Sequence, residues 1–292
     1  MEAESKGGIE SERGSRSSRK EPQRSRRTPF RSISFMYHDV IDPRDSDSSG
    51  FPGRIPARYK IDPPLFERHL DAIAATGRAP GSAISLRSTP KRHGDRPLFL
   101  TFDDGGASAM QIAESLSRRN WPGHFFVPVD YVGKPGFLDE GQIVELARQG
   151  HIVGTHSSSH PIPISGLPEE QILEEWQRSV SVLKEIIGRS VVTGSVPGGY
   201  CSPGVAQAAA ACGITVLFTS EPIPTVRELD GCLLLGRYAI LAGTTAETAA
   251  GLARGDLMLR LRQRVSWKAR GLAKFVLGDV YRALRARLLE KP

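Results

Sequence analysis

The sequence predicts an α/β protein organised around a parallel sheet, and two observations carry the prediction. Short apolar or β-branched runs recur between residues 31 and 240, the texture of strands buried on both faces. Helical patterns fill the intervals, and several stop at a glycine, as helix C-termini do. Strand and helix alternating this often set the strands in parallel with the helices outside.

The elements follow in order. Residues 1–30 are Ser, Arg, Glu and Gly with almost no apolar side chain, so burial cannot offset chain entropy and a disordered tail is expected. Strands are predicted at Ser32–Tyr37, Leu98–Phe102, His124–Val129, His151–Thr155, Val191–Val196, Ile214–Thr219 and Leu233–Leu235. The first helix is predicted at Pro63–Thr76, where Asp62 offers an N-cap and prolines occupy the first turn. Others follow at Ala107–Arg119, Asp139–Gln149, Pro168–Ile187 and Pro203–Cys212, with Gly77, Gly150, Gly188 and Gly213 marking four helix ends. Seven such strands can close into a barrel or lie open, and the pattern accommodates both. Met258–Lys291 reads as a helical tail whose ten Lys/Arg alternate with Leu, Val, Trp and Phe. It suits either a terminal helix with a solvated basic face or an amphipathic helix in peripheral contact with an anionic membrane.

Composition narrows the function. The 292 residues are 39% hydrophobic, enough for a core, and carry a net charge of +7. That excess is confined to the tails. Residues 1–31 hold nine Lys/Arg against five Asp/Glu and residues 258–292 hold ten against two, which leaves 32–257 at net −5. The globular part is therefore expected to bind no nucleic acid. Cys201, Cys212 and Cys232 are odd in number and irregularly spaced, which argues against a disulfide framework and for a reducing compartment. No apolar leader precedes Pro29, and no run approaches the roughly eighteen apolar residues of a spanning helix. A soluble, cytoplasmic protein is expected.

The chemistry begins at His151–His160, "HIVGTHSSSH", where a predicted strand runs into His156 and, four residues on, His160. A polar loop would explain an isolated pair, whereas a metal site requires a third ligand. Leu98–Gly106, "LFLTFDDGG", offers one: Asp103 and Asp104 end a buried strand, where adjacent carboxylates are costly without a cation nearby. An Asp-Gly turn is common in itself. Here Asp104, His156 and His160 all fall at C-terminal strand ends, the rim where β/α folds build their sites. Two histidines and a carboxylate with open positions suit Zn²⁺, or Co²⁺, Fe²⁺ or Mn²⁺. A second carboxylate beside the ion but off it can serve as general base.

Thr101–Gly105 (TFDDG) and His156–His160 (HSSSH) resemble the first two motifs of the polysaccharide deacetylases, the NodB-type metal-dependent hydrolases of carbohydrate esterase family four. The resemblance covers roughly residues 31–240 and implies a distorted seven-stranded (β/α) barrel. It implies Asp103 as catalytic base, and Asp104, His156 and His160 as ligands of a divalent metal, zinc first among the candidates. The family's third motif, R-x-P-x-G, stands here as Ser195-Val-Pro197-Gly198-Gly199-Tyr200, with serine in place of the arginine that orients the base. Backbone N–H groups of Gly198 or Gly199, with Tyr200 beside them, are expected to hold the oxyanion and substrate, against the simpler reading of a Pro-Gly turn. The last motif of the family ends in a histidine that acts as general acid, but this chain has Arg237-Tyr238 after Leu233–Gly236. An arginine gives up no proton at neutral pH. His38, in "FMYHDV", is the candidate acid instead, because some members open with a similar Y-H-x-V strand; a core histidine is the competing reading. Asp39 could set its tautomer. His69 is expected at the surface, His124 in a structural role and Cys201 beside the cleft.

The implied activity is metal-dependent removal of an acetyl group from an N-acetylated sugar, the partner being a carbohydrate with an acetamido group. Deformylation or hydrolysis of a small cyclic amide suits the same barrel. A degenerate member that binds carbohydrate or a partner without turnover is the reading from another class, favoured by the absent arginine and histidine and opposed by the retained base and ligands. The domain organisation expected is a 1–30 tail, a 31–245 barrel and a 246–292 basic helical extension.

Overall fold

In the computed structural model, which describes residues 30–88 and 96–272, nine strands form one sheet. Residues 1–29 of the predicted tail and 273–292 of the basic extension lie outside the described residues, while Phe30 packs against the barrel core. Strands β1 (Ile33–Tyr37), β2 (Leu98–Phe102), β3 (Gly123–Val127), β4 (Ile152–Thr155), β5 (Thr193–Ser195) and β6 (Val216–Phe218) are parallel neighbours in chain order. β7 (Arg227–Leu229) is antiparallel to β8 (Cys232–Leu235), and β9 (Tyr238–Ala239) follows almost at once.

β8 pairs with β6, whereas β9 pairs with β1. Residues 232–239 thus touch both ends of the sheet, and the curl closes into the distorted barrel. The count rises from seven to nine because the seventh stave is broken at Gly236-Arg237 and the hairpin strand β7 is added outside. Glycine at 236 has a reason. A Cβ there would collide with the carbonyls of Glu221 and Ile223, so only glycine lets the chain pass that close.

The α-helices among the described residues are α1 (Arg54–Ala57), α2 (Pro63–Ala74), α3 (Ala109–Ser117), α4 (Glu140–Arg148), α5 (Glu169–Ile187), α6 (Pro203–Ala211), α7 (Ala246–Arg254) and α8 (257–272). Asp139 caps α4 in a reciprocal box with Gln142, and α5 stops at a left-handed Gly188. Asp62 stands at the start of α2, but its side chain makes no capping bond.

Alternation along the strands divides the core. Phe35, Leu100, Phe102 and Phe125 pack outward beneath α2, α3 and α4. Phe99, Phe126, Phe218 and Leu235 fill the barrel interior. Thr101 and Asp103 continue the inward-facing series of Phe99, which brings a carboxylate to the barrel mouth.

His69 is a correction to the surface reading. It is buried, with Nε2–H donating to the Thr244 carbonyl (2.8 Å) and Nδ1 accepting from the Tyr37 hydroxyl (3.3 Å). Its place on the buried stripe with Phe66, Leu70 and Ile73 accounts for this. α7, which opens the expected extension, belongs to the barrel's outer layer: Ala249, Leu252 and Ala253 share a core with α2.

Candidate active site

The two carboxylates are delivered by one strand end. The Asp103 N–H still donates to the Tyr37 carbonyl, and Asp104 (φ 74°) and Gly105 (φ 63°) then reverse the chain. Five non-glycine residues among those described have positive φ, and three of them are Asp104, Ser157 and His160. Each such residue costs of order 1–3 kcal/mol, and strain of this kind concentrates at functional sites. Here it turns successive side chains, which in a straight strand would diverge, toward one mouth.

Asp39 moulds this turn from beneath. Its buried carboxylate accepts from the hydroxyls of Ser49 (2.5 Å) and Ser108 (2.7 Å), and a Cβ at Gly106 would strike it. Burial raises its pKa, against the two hydroxyl bonds and the Lys60 charge. Its bonding is to these serines, while His38 Nδ1 has no partner among the described residues.

The histidines come from the end of β4. His156 Nδ1–H donates to the Ser195 carbonyl (2.8 Å), which fixes the tautomer and leaves Nε2 3.4 Å from Asp104 Oδ1. His160 Nε2 lies 3.3 Å from the same oxygen, its ring stacked on Phe51 at 4.7 Å. The serines between them have tasks: Ser157 Oγ accepts from the His160 N–H, and Glu175 of α5 takes the N–H groups of Ser158 and Ser159. Three ligand atoms, one each from Asp104, His156 and His160, lie within 4.8 Å of one another. Metal bonds of about 2.0–2.2 Å at a tetrahedral angle separate ligand atoms by about 3.3–3.6 Å. The two carboxylate–imidazole distances fall in that range, so the donor set fits a divalent ion.

Asp103 is held by a residue that the sequence reading set aside. Arg237, 1% exposed, donates Nη1–H to Asp103 Oδ1 (2.7 Å) and Nη2–H to Oδ2 (2.9 Å). Its remaining N–H groups reach Ser195 Oγ (2.8 Å), Thr101 Oγ1 (3.0 Å) and the Thr219 carbonyl (3.0 Å). All five guanidinium donors are satisfied. The arginine absent at Ser195 is therefore supplied from the seventh stave, and the small serine leaves it room. Burial would raise the Asp103 carboxyl, but Arg237, then His156, holds it below the ordinary carboxylate range. Asp104 is driven well below that range against the same penalty, by His38 and by hydrogen bonds from His156 and His160. A lone arginine inside "LLLGRYAIL" was the available signal, since a charge in an apolar run demands a buried counter-ion.

His38 faces the site. Its Nε2 is 4.0 Å from Asp104 Oδ2, with the ring against Tyr59 at 4.5 Å. In the Pro-Gly turn the Gly199 N–H donates to the Val196 carbonyl, and the Tyr200 ring stacks on Trp267 of α8. The N–H is thus engaged within the turn and the ring with α8. Gly198 lies against Ile162. Cys201 packs against the apolar cluster that includes α6, and burial pushes its thiol up to about 11. His124 is structural: Nδ1–H donates to the Leu100 carbonyl and Nε2 accepts from the Ala83 N–H, both at 3.0 Å.

The family profile for polysaccharide deacetylases matches residues 91–217. The peptidoglycan-N-acetylglucosamine deacetylase PgdA of Listeria monocytogenes (serotype 1/2a, strain 10403S) is 32% identical over 82 residues, which is 27% of this chain and 17% of that protein's length. Among solved structures, BC0361, a polysaccharide deacetylase from Bacillus cereus, superposes with a TM-score of 0.64 at 21% identity, over 77% of this chain and 69% of that one. IcaB from Ammonifex degensii gives 0.63 at 22% identity, over 77% and 97%. The deacetylase PplD of Streptococcus pyogenes gives 0.63 at 20% identity, over 75% and 96%. These structures share the fold. Both motifs lie inside the matched segment and their side chains converge at one barrel mouth, so residues 91–217 are similar to the polysaccharide deacetylases in sequence and the barrel is similar to theirs in fold.

Proposed function

We propose that this protein hydrolyses the acetamido group of an N-acetylated sugar, releasing acetate and a free amine, and that it depends on a divalent metal, zinc first among the candidates. The observation that carries this reading is the convergence of Asp104, His156 and His160 beside an Asp103 clamped by Arg237. A metal held by the three ligands supplies a Lewis acid for the amide carbonyl and lowers the pKa of water. Asp103, kept ionised and oriented by Arg237, takes the proton of the attacking water. His38, across the mouth, delivers a proton to the departing nitrogen as the C–N bond breaks.

A binder without turnover would lack both an arginine on the base and an acid. The enzyme reading is supported instead by the Arg237 clamp on Asp103 and by His38 Nε2, 4.0 Å from Asp104 Oδ2. The name of the Listeria relative supports an N-acetylglucosamine-containing glycan as the substrate class. A cytoplasmic setting is part of the proposal, in keeping with three free thiols.

Metal analysis of the purified protein, followed by an acetate-release screen on N-acetylglucosamine oligomers, tests the reading. Stoichiometric metal and acetate release are expected, and metal-free protein inert on every oligomer would sink it. His38→Ala should lower turnover about 10²-fold or more at unchanged metal content. Undiminished turnover would hand the acid's role to solvent.

A further inference from the structure

Helix α8 has two faces with opposite surroundings. Leu259 packs against the main core, and the Gln263 side chain exchanges two 3.0 Å hydrogen bonds with the backbone of Ala239 on β9. Trp267 stacks on Tyr200 and directs its indole N–H to Ser220 Oγ. These three residues are four apart, so one stripe docks on the barrel. The opposite stripe is bare. Leu257, Met258, Leu261, Val265 and Leu272 are between 42% and 74% exposed. At 100° per residue they form an arc of about 100° centred roughly opposite Gln263. Five of the ten large apolar side chains exposed among the described residues lie on this one helix, so this is a patch and not scatter.

Charge identifies the partner. Residues 257–272 carry Arg260, Arg262, Arg264, Lys268 and Arg270 with no Asp or Glu, while residues 32–257 are net −5. On the helical wheel Arg262 and Arg264 flank the apolar arc on either side, and exposed Lys268 lies within it, where its long stem can carry the ammonium to the surface. A second copy would set two such basic faces together without a single acid between them. An apolar stripe edged by arginines is instead the profile of a helix lying in a lipid interface, stem carbons in the acyl boundary and guanidinium groups among phosphates. Among the described residues no helix is long and apolar enough to cross a membrane, so the contact is peripheral.

We propose that the outer face of α8 rests on the surface of an anionic bilayer. Because Tyr200 and Ser220 follow β5 and β6 at their C-terminal ends, the Trp267 end of α8 lies beside the rim that carries Asp104 and the histidines. Flotation of the full chain with vesicles tests this without reference to turnover. Binding is expected to phosphatidylcholine vesicles containing about a quarter phosphatidylglycerol, to weaken in about 0.5 M NaCl, and to be absent on phosphatidylcholine alone. Leu261→Glu/Val265→Glu should reduce partition at least about tenfold, and Arg262→Gln/Arg264→Gln by a similar factor, at unchanged metal content. The proposal is overturned if anionic vesicles fail to bind, or if both variants bind as the parent does. It is equally overturned if sedimentation shows a dimer that the Leu261/Val265 variant dissociates, or if the stripe captures an acidic protein but no lipid.

Discussion

His124 and His156 are both buried, in neighbouring strands or at their ends, yet they do opposite things. His124 spends both ring nitrogens on backbone groups, and burial lowers its pKa to about 4. His156 spends only Nδ1, on the Ser195 carbonyl, and presents Nε2 to two carboxylates that raise its pKa against burial. His151 resembles the first: its Nδ1 accepts from the Gly123 N–H and its Nε2 lies against Ser117 Oγ. His160 likewise presents Nε2 to Asp104 Oδ1. Burial alone does not separate the histidines of this barrel. What sets His156 and His160 apart is an imidazole nitrogen aimed at a carboxylate.

That contrast can be broken most severely at the rim. Asp104→Ala or His160→Ala should abolish metal binding and turnover together while leaving thermal unfolding little changed; retention of stoichiometric metal would show that the ligand set is wrong. Asp103→Asn should keep the metal and lose about 10²–10⁴ in rate, the usual worth of a general base. Equal metal loss in this variant would merge the two roles. Arg237→Ala strands a buried carboxylate and should cost about 3–5 kcal/mol in denaturant unfolding. Much of that loss should return in the Asp103→Asn/Arg237→Met double variant, which remains inactive.

The smallest effect sharpens the other side of the comparison. His124 is neutral in the fold, whereas the unfolded chain takes up its proton below about pH 6.5. Its contribution is therefore complete above that pH and drains away as pH falls toward 4, by roughly 3 kcal/mol in all. His69 and His151, also lowered by burial, add in the same direction. Urea unfolding measured between pH 7 and 4 should show the decline, and His124→Asn should flatten it. An unchanged slope would place the acid sensitivity elsewhere.

Local patterns made most of the barrel legible. The runs at Leu98–Phe102 and around Phe125 are strands because they are continuous and apolar, and α5 ends at Gly188 because a left-handed residue must follow it. The candidate ligands and base could be read for a similar reason: Asp103-Asp104 and His156…His160 lie within short segments at strand ends, and such groups are costly to bury without a partner. His69 was also within reach, had its place on the stripe of α2 been weighed above its polarity.

What sequence determined, then, was the set of staves and the pairs of reactive residues that neighbour each other along the chain. Tertiary structure decided which distant residues those pairs meet. Arg237 finds Asp103 across 134 positions, because residues 232–239 close the barrel between β6 and β1. Ser195 admits the guanidinium that its own motif lacks. Such partners are selected by closure of the sheet and by the demand that a buried charge be paired, and neither leaves a periodic trace in the chain.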